Sequence, residues 1–234
     1  MPTAARRFHE YGDAGILVEL DGLDADDRWR EAQHLGAWLR RAPPLGLVDV
    51  VASFASVFVS FDPLVTDFAT LQSALYAAPP AGPETAPRRA FVVPIVYGGD
   101  HGPDLQQVAE LLDISPADLV ELHTSGGWTV RFVGSPAGAP LMDGPRLPAS
   151  VPRLETPRAR LQPGSVGLSG FQCVIYNAAS PGGWQLIGRT PAKLFDVTTP
   201  PYVVYRPGDQ LRFMSIGVDA WTDYVGRPLF EEAP

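Results

Sequence analysis

The sequence predicts an α+β protein with a ferredoxin-like split βαβ domain at residues 1–97, followed by a β-barrel domain with leading helices at residues 98–234. Three observations support this prediction. In the first third of the chain, apolar residues alternate between strand-like and helix-like spacing. Residues 77–89 are rich in Ala and Pro, which indicates an exposed linker. Short apolar runs separated by Gly or Pro then follow, as is typical of a barrel or a sandwich.

The N-terminal domain is predicted to contain four strands and two helices in the order βαββαβ. In chain order, these elements lie at residues 15–20, 24–41, 48–54, 56–61, 63–76 and 91–96. The first helix follows the turn signal Asp21-Gly22, and Asp24 is its predicted N-cap. Residues 91–96 are predicted to be the fourth strand, which would complete a split βαβ sheet.

The second domain is predicted to begin with helices at residues 103–112 and 115–122, the latter with Ser115 as its N-cap. After His123 the pattern changes to short strands. These are predicted at residues 128–133, 165–170, 173–177, 185–189, 202–206 and 210–214. Residues 141–160 are rich in proline and are predicted to form a loop. The regular spacing of the strands favours a closed barrel or a sandwich.

Composition excludes several classes of protein. The chain has 234 residues, of which 45% are hydrophobic and 19% are charged, as in a globular protein. Lys and Arg number 18 against 26 Asp and Glu, so binding to nucleic acid or an anionic membrane through bulk charge is not expected. No stretch resembles a signal peptide or a membrane span, which predicts a cytoplasmic location. Cys173 is the single cysteine, so an internal disulfide is not predicted. No Cys/His cluster has the spacing of metal ligands, so a structural zinc site is not predicted either.

Residues 163–191 have too few charges for a solvated face and too many glycines and prolines for a helix. Polar side chains stand among their short apolar runs, including Gln172, Tyr176, Ser180 and Arg189. This mixture is typical of a concave binding site, and equally of a tightly turned β-core.

Several segments carry a family resemblance. They are SPGGWQLIGRTP (180–191), PGSVG (163–167), RPGDQLRF (206–213), VVPIVYGGDHGPDL (92–105) and LHTSGGWTV (122–130), together with strands at 11–19 and 53–63. The chain from about Tyr11 to Ile216 thereby resembles, in order, the family of the 5-oxoprolinase B subunit. This family is also described as the KipI kinase inhibitors and as allophanate hydrolase subunit 1, or carboxyltransferase subunit domains.

The resemblance implies that the barrel is cyclophilin-like. It also implies a bacterial B-type subunit that associates with a C-type subunit. Together with an A-type partner, these subunits hydrolyse the lactam 5-oxoproline to glutamate at the expense of ATP. The segment GGDHG at residues 98–102 lacks the Lys-Ser/Thr and the spacing of a P-loop. ATP, if used, is therefore expected to bind with the help of a partner subunit or at a site on an interface.

Two motifs depart from the family pattern. Where members carry GFAPGFPYL, residues 134–142 read GSPAGAPLM, so three aromatic rings are missing. Where members carry GGQTGIYP, residues 170–177 read GFQCVIYN, and Cys173 and Val174 replace a Thr and a Gly. A Gly-to-Val change adds a β-branched side chain, so the substrate pocket is expected to differ from that of the family.

His123, Gln172 and Arg189 are the predicted catalytic residues. The resemblance places His123 in or beside the active cleft, where an imidazole could shuttle a proton; the alternative is a histidine that contacts the last carbonyls of its helix. Gln172 could hold an amide or carboxylate, or satisfy local backbone groups. Arg189 could bind a carboxylate or phosphate through its fork, or form a salt bridge or cap loop carbonyls.

The predicted substrate-binding residues are Gly138, Pro140, Tyr176, Ser180, Trp184 and Thr190. Cys173 is expected to be a small apolar core residue rather than a nucleophile, and His101 a structural turn residue.

Three functions remain open from the sequence. The first is the component of an ATP-dependent lactam hydrolase that the resemblance implies. The second is a KipI-like protein that inhibits a sensor histidine kinase without catalytic turnover. The third is a repurposed barrel, either an enzyme or a ligand-binding protein in a specialised pathway. The missing rings favour this third function, because they enlarge a cavity that Phe171 and Val174 refill only in part.

Overall fold

The computed structural model describes residues 5–22, 24–81, 88–134 and 136–231. The chain divides into two compact units, Met1–Ala86 and Pro87–Pro234. Residues 82–87 of the predicted linker and Ser135 of the diverged loop lie outside the described residues. Within the described ranges, no helix is both long and apolar enough to cross a membrane.

The first unit is a four-stranded antiparallel sheet with two helices. Its elements are β1 (Ala5–Glu10), β2 (Gly15–Asp21), α1 (Ala25–Arg41), β3 (Leu47–Ala52), β4 (Ser56–Phe61) and α2 (Phe68–Ala77). The strands pair in the order β1-β2-β4-β3. Alternate side chains of β2, β3 and β4 pack with apolar side chains of both helices in one buried cluster. The predicted N-cap of α1 is confirmed, since the Asp24 side chain accepts from the backbone N–H of Asp27 at 2.8 Å.

The edge strand beside β2 differs from the predicted one. The sequence predicts residues 91–96 at this position, whereas β1 occupies it. β1 pairs with β2 along its whole length, from Ala5 opposite Asp21 to Glu10 opposite Ile16. Because this local hairpin fills the edge, no position there is left for residues 91–96. The sheet keeps the ferredoxin-like order, with β1 in the place of the last strand.

The second unit is a closed barrel of seven strands. They are β5 (Ala90–Tyr97), β6 (Gly127–Gly134), β7 (Ala139–Asp143), β8 (Ser165–Ser169), β9 (Gln172–Tyr176), β10 (Gln185–Arg189) and β11 (Gln210–Ser215). The ring runs β5-β10-β8-β9-β7-β6-β11 and closes where β11 pairs in parallel with β5. A short strand, β12 (Phe230–Glu231), also pairs with β5. Large apolar side chains, including those of Ile95, Trp128 and Met142, fill the barrel as a packed core.

The pairing of β5 determines where the boundary between the two units lies. It pairs with β10, β11 and β12, and Phe91, Val93 and Ile95 are buried in the barrel core. A strand with partners on both sides and buried apolar residues belongs inside a closed sheet. The chain therefore divides before β5, at residue 86, rather than after residue 97 as the sequence predicts.

Short helices lie outside the strands of the second unit. They are a 3₁₀ turn at Gly99–His101, α3 (Leu105–Leu111), α4 (Pro116–Thr124), a 3₁₀ turn at Val218–Ala220 and α5 (Trp221–Tyr224). The predicted N-cap of α4 is confirmed as a complete capping box. The Ser115 hydroxyl accepts from the Asp118 N–H, and the Asp118 carboxylate accepts from the Ser115 N–H.

Two segments of the second unit differ from their predictions. Residues 202–206 form no strand; instead, the buried Tyr205 anchors them, its hydroxyl donating to the carbonyl of Gly138 at 2.7 Å. β7 extends to Asp143, into residues 141–160, which are predicted as a loop. It pairs with both β6 and β9, and this tertiary pairing outweighs the local proline and glycine signals.

Candidate functional site

A cleft of about 400 Å³ opens at one end of the barrel. Strands β8, β9 and β10 meet here, because Ser165 lies opposite both Tyr176 and Arg189 in the strand pairing. The segments that follow β9 and β10, together with α5, form its walls. These walls include Asn177, Arg189, Thr190, Lys193, Phe195 and Trp221.

Arg189 is a cation of the cleft wall. Its Nε donates to the carbonyl oxygen of Pro163 at 2.9 Å, and its Cζ lies 5.2 Å from the centre of the Trp221 ring. Partial burial lowers the pKa of Arg189 from its usual value, and a guanidinium remains charged at neutral pH. Among the described residues, no carboxylate pairs with Arg189 and no acceptor binds its terminal nitrogens. That fork is available to bind an oxyanion.

The lining of the cleft favours small anions. Among its described residues are Arg189 and Lys193, but no Asp or Glu. The Nζ of Lys193 lies 2.7 Å from Oδ2 of Asp196, in a partly exposed ion pair that a ligand can rearrange at little cost. Thr190 is buried, and its hydroxyl accepts from the N–H of Ala192 at 3.1 Å. The described lining therefore contains two cationic residues and a buried threonine, and no acidic residue.

The floor of the cleft requires a glycine at position 164. The φ angle of Gly164 is +83°, a left-handed conformation that other residues rarely adopt. A Cβ on Gly164 would also lie 2.3 Å from the carbonyl oxygen of Thr190. In the same contact, the N–H of Thr190 donates to the Gly164 carbonyl at 2.9 Å. The PGSVG motif thus allows the backbone before β8 to approach the backbone after β10.

A polar cluster links Gly138 to the cleft. The Nδ2 of Asn177 lies 2.9 Å from the carbonyl oxygen of Ala137, 3.0 Å from that of Gly138 and 2.6 Å from Oη of Tyr205. Two of these partners can only accept, which fixes the orientation of the amide. Burial raises the pKa of Tyr205. The cluster holds the predicted substrate-binding residue Gly138 behind a wall residue of the cleft.

Tyr176 and Trp184, two predicted substrate-binding residues, lie outside the lining of the cleft. Both belong to a small apolar cluster with Leu161 and Leu186. Burial raises the pKa of the Tyr176 phenol. Gly182 of SPGGW allows this packing, because a Cβ there would lie 2.4 Å from Leu161 and 2.7 Å from the Tyr176 hydroxyl.

Two other predicted substrate-binding residues also lie outside the lining. Pro140 is buried in β7 opposite Val133. The Ser180 hydroxyl is buried, with no hydrogen-bond partner among the described atoms. Of the six predicted residues, only Thr190 belongs to the cleft wall itself.

His123 lies in the barrel core. It is fully buried, with its ring stacked 4.3 Å from that of Phe213. Its Nδ1 lies 2.7 Å from Oη of Tyr97, and its Nε2 lies 3.4 Å from Sγ of Cys173. Burial lowers the pKa of His123 to about 3 and raises the pKa of both Tyr97 and Cys173. The imidazole is therefore neutral at physiological pH, and its polar contacts are with core side chains.

Gln172 lies at the other end of the barrel strands. It is the first residue of β9, whereas Tyr176 is the last. Its Nε2 donates to Oδ1 of Asp143 at 3.0 Å, and Nε of Arg131 donates to the other carboxylate oxygen at 3.1 Å. The strand register thus separates Gln172 from Arg189. The three predicted catalytic residues do not share one site.

Sequence reasoning missed several residues of the cleft wall, among them Lys193, Asn177 and Trp221. Lys193 is the only lysine of the chain and closely follows the GRTP motif, a signal that could have identified it. Asn177 is the last residue of GFQCVIYN, a motif in which only Gln172 and Tyr176 were predicted to be site residues. Trp221 follows the last segment that resembles the family, so nothing in the sequence singled it out.

Comparison with known proteins supports the same architecture. The B subunit of 5-oxoprolinase from Bacillus subtilis (strain 168) is 29% identical over 227 residues, covering 92% of this chain and 94% of that protein. The B subunit of 5-oxoprolinase from Haemophilus influenzae is 36% identical over 166 residues, covering 71% and 75%. The crystal structure of the K. lactis urea amidolyase shares the fold, with a TM-score of 0.80 at 21% identity.

The likeness to urea amidolyase covers 98% of this chain but only 16% of that longer protein. It confirms the predicted α+β fold with a C-terminal barrel. The family model of the carboxyltransferase domain, subdomain C and D, matches residues 6–205. The chain belongs to the carboxyltransferase domain family, subdomains C and D.

Proposed function

We propose that this chain is the B-type subunit of an ATP-dependent 5-oxoprolinase, and that Arg189 binds the carboxylate of the substrate. Two relatives that match most of the chain are named as B subunits of 5-oxoprolinase. The observation that carries the proposal is the guanidinium of Arg189, which stands in a barrel-end cleft without a carboxylate partner among the described residues. A small carboxylated lactam supplies that partner.

The geometry of Arg189 suits a carboxylate better than a spherical anion. Its Nε is occupied by Pro163, and its Cζ lies near the face of Trp221. The two terminal nitrogens remain, and they match the two oxygens of a carboxylate in a planar, bidentate contact. Phe195 and other apolar residues of the wall provide a surface for the lactam ring.

ATP and its metal ion require residues beyond this cleft. When bound, ATP would supply the phosphoryl group that activates the stable lactam carbonyl. Magnesium–nucleotide sites use carboxylates, and the described lining of the cleft contains none. Among the described residues of the whole chain, no group of three His, Cys, Asp or Glu side chains could hold a metal ion. We assign nucleotide binding to a partner subunit. Catalytic roles for His123 and Gln172 stay predictions outside this proposal.

The partner can be identified first. We would tag the chain in its native host, isolate it from lysate and identify the proteins that co-purify. Recovery of a C-type subunit, and of ATP-dependent glutamate formation from 5-oxoproline in the eluate, is the expected result. Recovery of the chain alone and inactive would contradict the proposal and favour a repurposed barrel.

The role of Arg189 can be tested in the reconstituted complex. We expect Arg189→Gln to lower kcat/KM for 5-oxoproline by about 10- to 100-fold, mainly through KM, because a charged hydrogen bond to the substrate is lost. Arg189→Lys keeps the charge but not the fork, and should recover part of the loss. The control is Arg206→Gln, which removes an arginine that is 61% exposed and lies outside the cleft wall. An unchanged KM in Arg189→Gln would contradict the proposal.

A further inference from the structure

A C-terminal segment, residues 217–228, forms part of the cleft although the family model ends at residue 205. Backbone hydrogen bonds fix it to the wall that follows β10. The N–H of Gly226 donates to the carbonyl of Pro191 at 3.1 Å, and the N–H of Lys193 donates to the carbonyl of Arg227 at 2.7 Å. Backbone hydrogen bonds thus make this segment an ordered part of the cleft wall.

Trp221 is the residue through which this segment meets Arg189. Its ring centre lies 5.2 Å from Cζ of Arg189 and 4.5 Å from the ring centre of His101, with a 29° angle between the two aromatic planes. His101 belongs to the turn after β5, so the indole is held from a second part of the barrel. An indole face attracts a guanidinium and favours a stacked orientation.

Two contacts therefore restrain the guanidinium of Arg189. The Nε–H bond to Pro163 limits rotation of the group, and the Trp221 face limits its tilt. An arginine side chain on a flexible stem otherwise loses considerable rotamer freedom when it binds a ligand. Restraint before binding reduces that entropic cost.

We propose that Trp221 is a positioning residue, which holds the guanidinium of Arg189 so that its terminal nitrogens bind the carboxylate of a small cyclic amide. The C-terminal segment thereby sets the preference of the cleft for carboxylated over neutral ligands. The identity of the ligand class rests on the proposed function, whereas the coupling between Trp221 and Arg189 does not.

The test is a double-mutant cycle measured by calorimetry on the full chain, with 5-oxoproline and its uncharged carboxamide as ligands. We expect Trp221→Leu to weaken binding of 5-oxoproline about tenfold and to change that of the carboxamide less than about twofold. Trp221→Phe keeps an aromatic face and should restore most of the affinity. In an Arg189→Gln background, Trp221→Leu should have no further effect, because the group that it positions is gone.

The matched control is Val218→Ala, an exposed position in the same segment, which should bind both ligands as the wild type does. Equal losses for both ligands, additive effects in the cycle, or a wild-type chain that does not prefer 5-oxoproline to its carboxamide would each overturn the inference. Failure of the proposed function looks different: coupling and preference would persist in the isolated chain, while the assembled complex would form no glutamate from 5-oxoproline.

Discussion

Burial disfavours a charge that has no counter-ion, and the guanidinium of Arg189 is partly buried without a carboxylate partner among the described residues. Arg189 retains one hydrogen bond to Pro163 and one aromatic face, Trp221, in place of part of its hydration. These contacts leave the charge unneutralised. A ligand carboxylate would neutralise the Arg189 guanidinium, and this is the physical reason for placing the site in this cleft.

At the same scale, His123 predicts a dependence of stability on pH. Burial lowers the pKa of His123 in the folded protein to about 3, whereas the same side chain in the unfolded chain has a pKa near 6.5. Between these values the unfolded state binds the extra proton, so the contribution of His123 to stability is present above pH 6.5 and is lost as the pH falls towards 3. From pH 6.5 to 5 this loss amounts to about 2 kcal/mol.

Denaturant unfolding of wild type and His123→Phe across this pH range measures the effect. We expect the variant to lose less stability than the wild type between pH 6.5 and 5. Phe213→Leu is the control, since it removes the stacked ring but keeps the imidazole, and it should retain the wild-type pH dependence. If the free energy of unfolding changes with pH in the same way in wild type and His123→Phe, then His123 is not buried as a neutral group.

At the scale of elements, the junction of β8 and β10 depends on Gly164. We expect Gly164→Ala to destabilise the protein by more than about 2 kcal/mol, because a positive φ and a 2.3 Å contact with the Thr190 carbonyl act together. Gly170→Ala is the matched control, with φ of +61° and no atom within 4 Å of the added Cβ, and should cost only about 1 kcal/mol. Thermal unfolding compares the two. Equal losses of stability in the two variants would show that the close approach of the Thr190 carbonyl does not constrain residue 164.

Element prediction succeeded where local signals were strong and failed where pairing was decisive. The caps at Asp24 and Ser115 could be recognised because capping depends on residues within one turn. β1 was missed because charged residues interrupt the apolar alternation that identifies a strand. Arg6 occupies an inward position, where its buried side chain pairs with Glu31, whereas the Arg7 side chain is exposed. β5 was recognised as a strand but given the wrong sheet, since its partners β10 and β11 lie far along the chain.

At the scale of the whole chain, tertiary structure determines which of the predicted site residues lie close together and which are far apart. Gln172 and Arg189 are near in sequence, yet the register of β8, β9 and β10 places them at opposite ends of the strands. His123, which lies near the end of α4 and shortly before β6, points a fully buried ring into the barrel core. Such separations follow from strand register and barrel closure, which periodicity along one strand does not specify.

Lys193 offers the most direct measurement of the central claim, because it is the only lysine of the chain and lines the same cleft as Arg189. Its acetylation rate can be followed by mass spectrometry with increasing 5-oxoproline, with the α-amino group as the internal reference. The account predicts that 5-oxoproline slows acetylation of Lys193 in the wild type but not in Arg189→Gln. Protection that is absent from the wild type, or that persists in Arg189→Gln, would contradict binding of the carboxylate at Arg189.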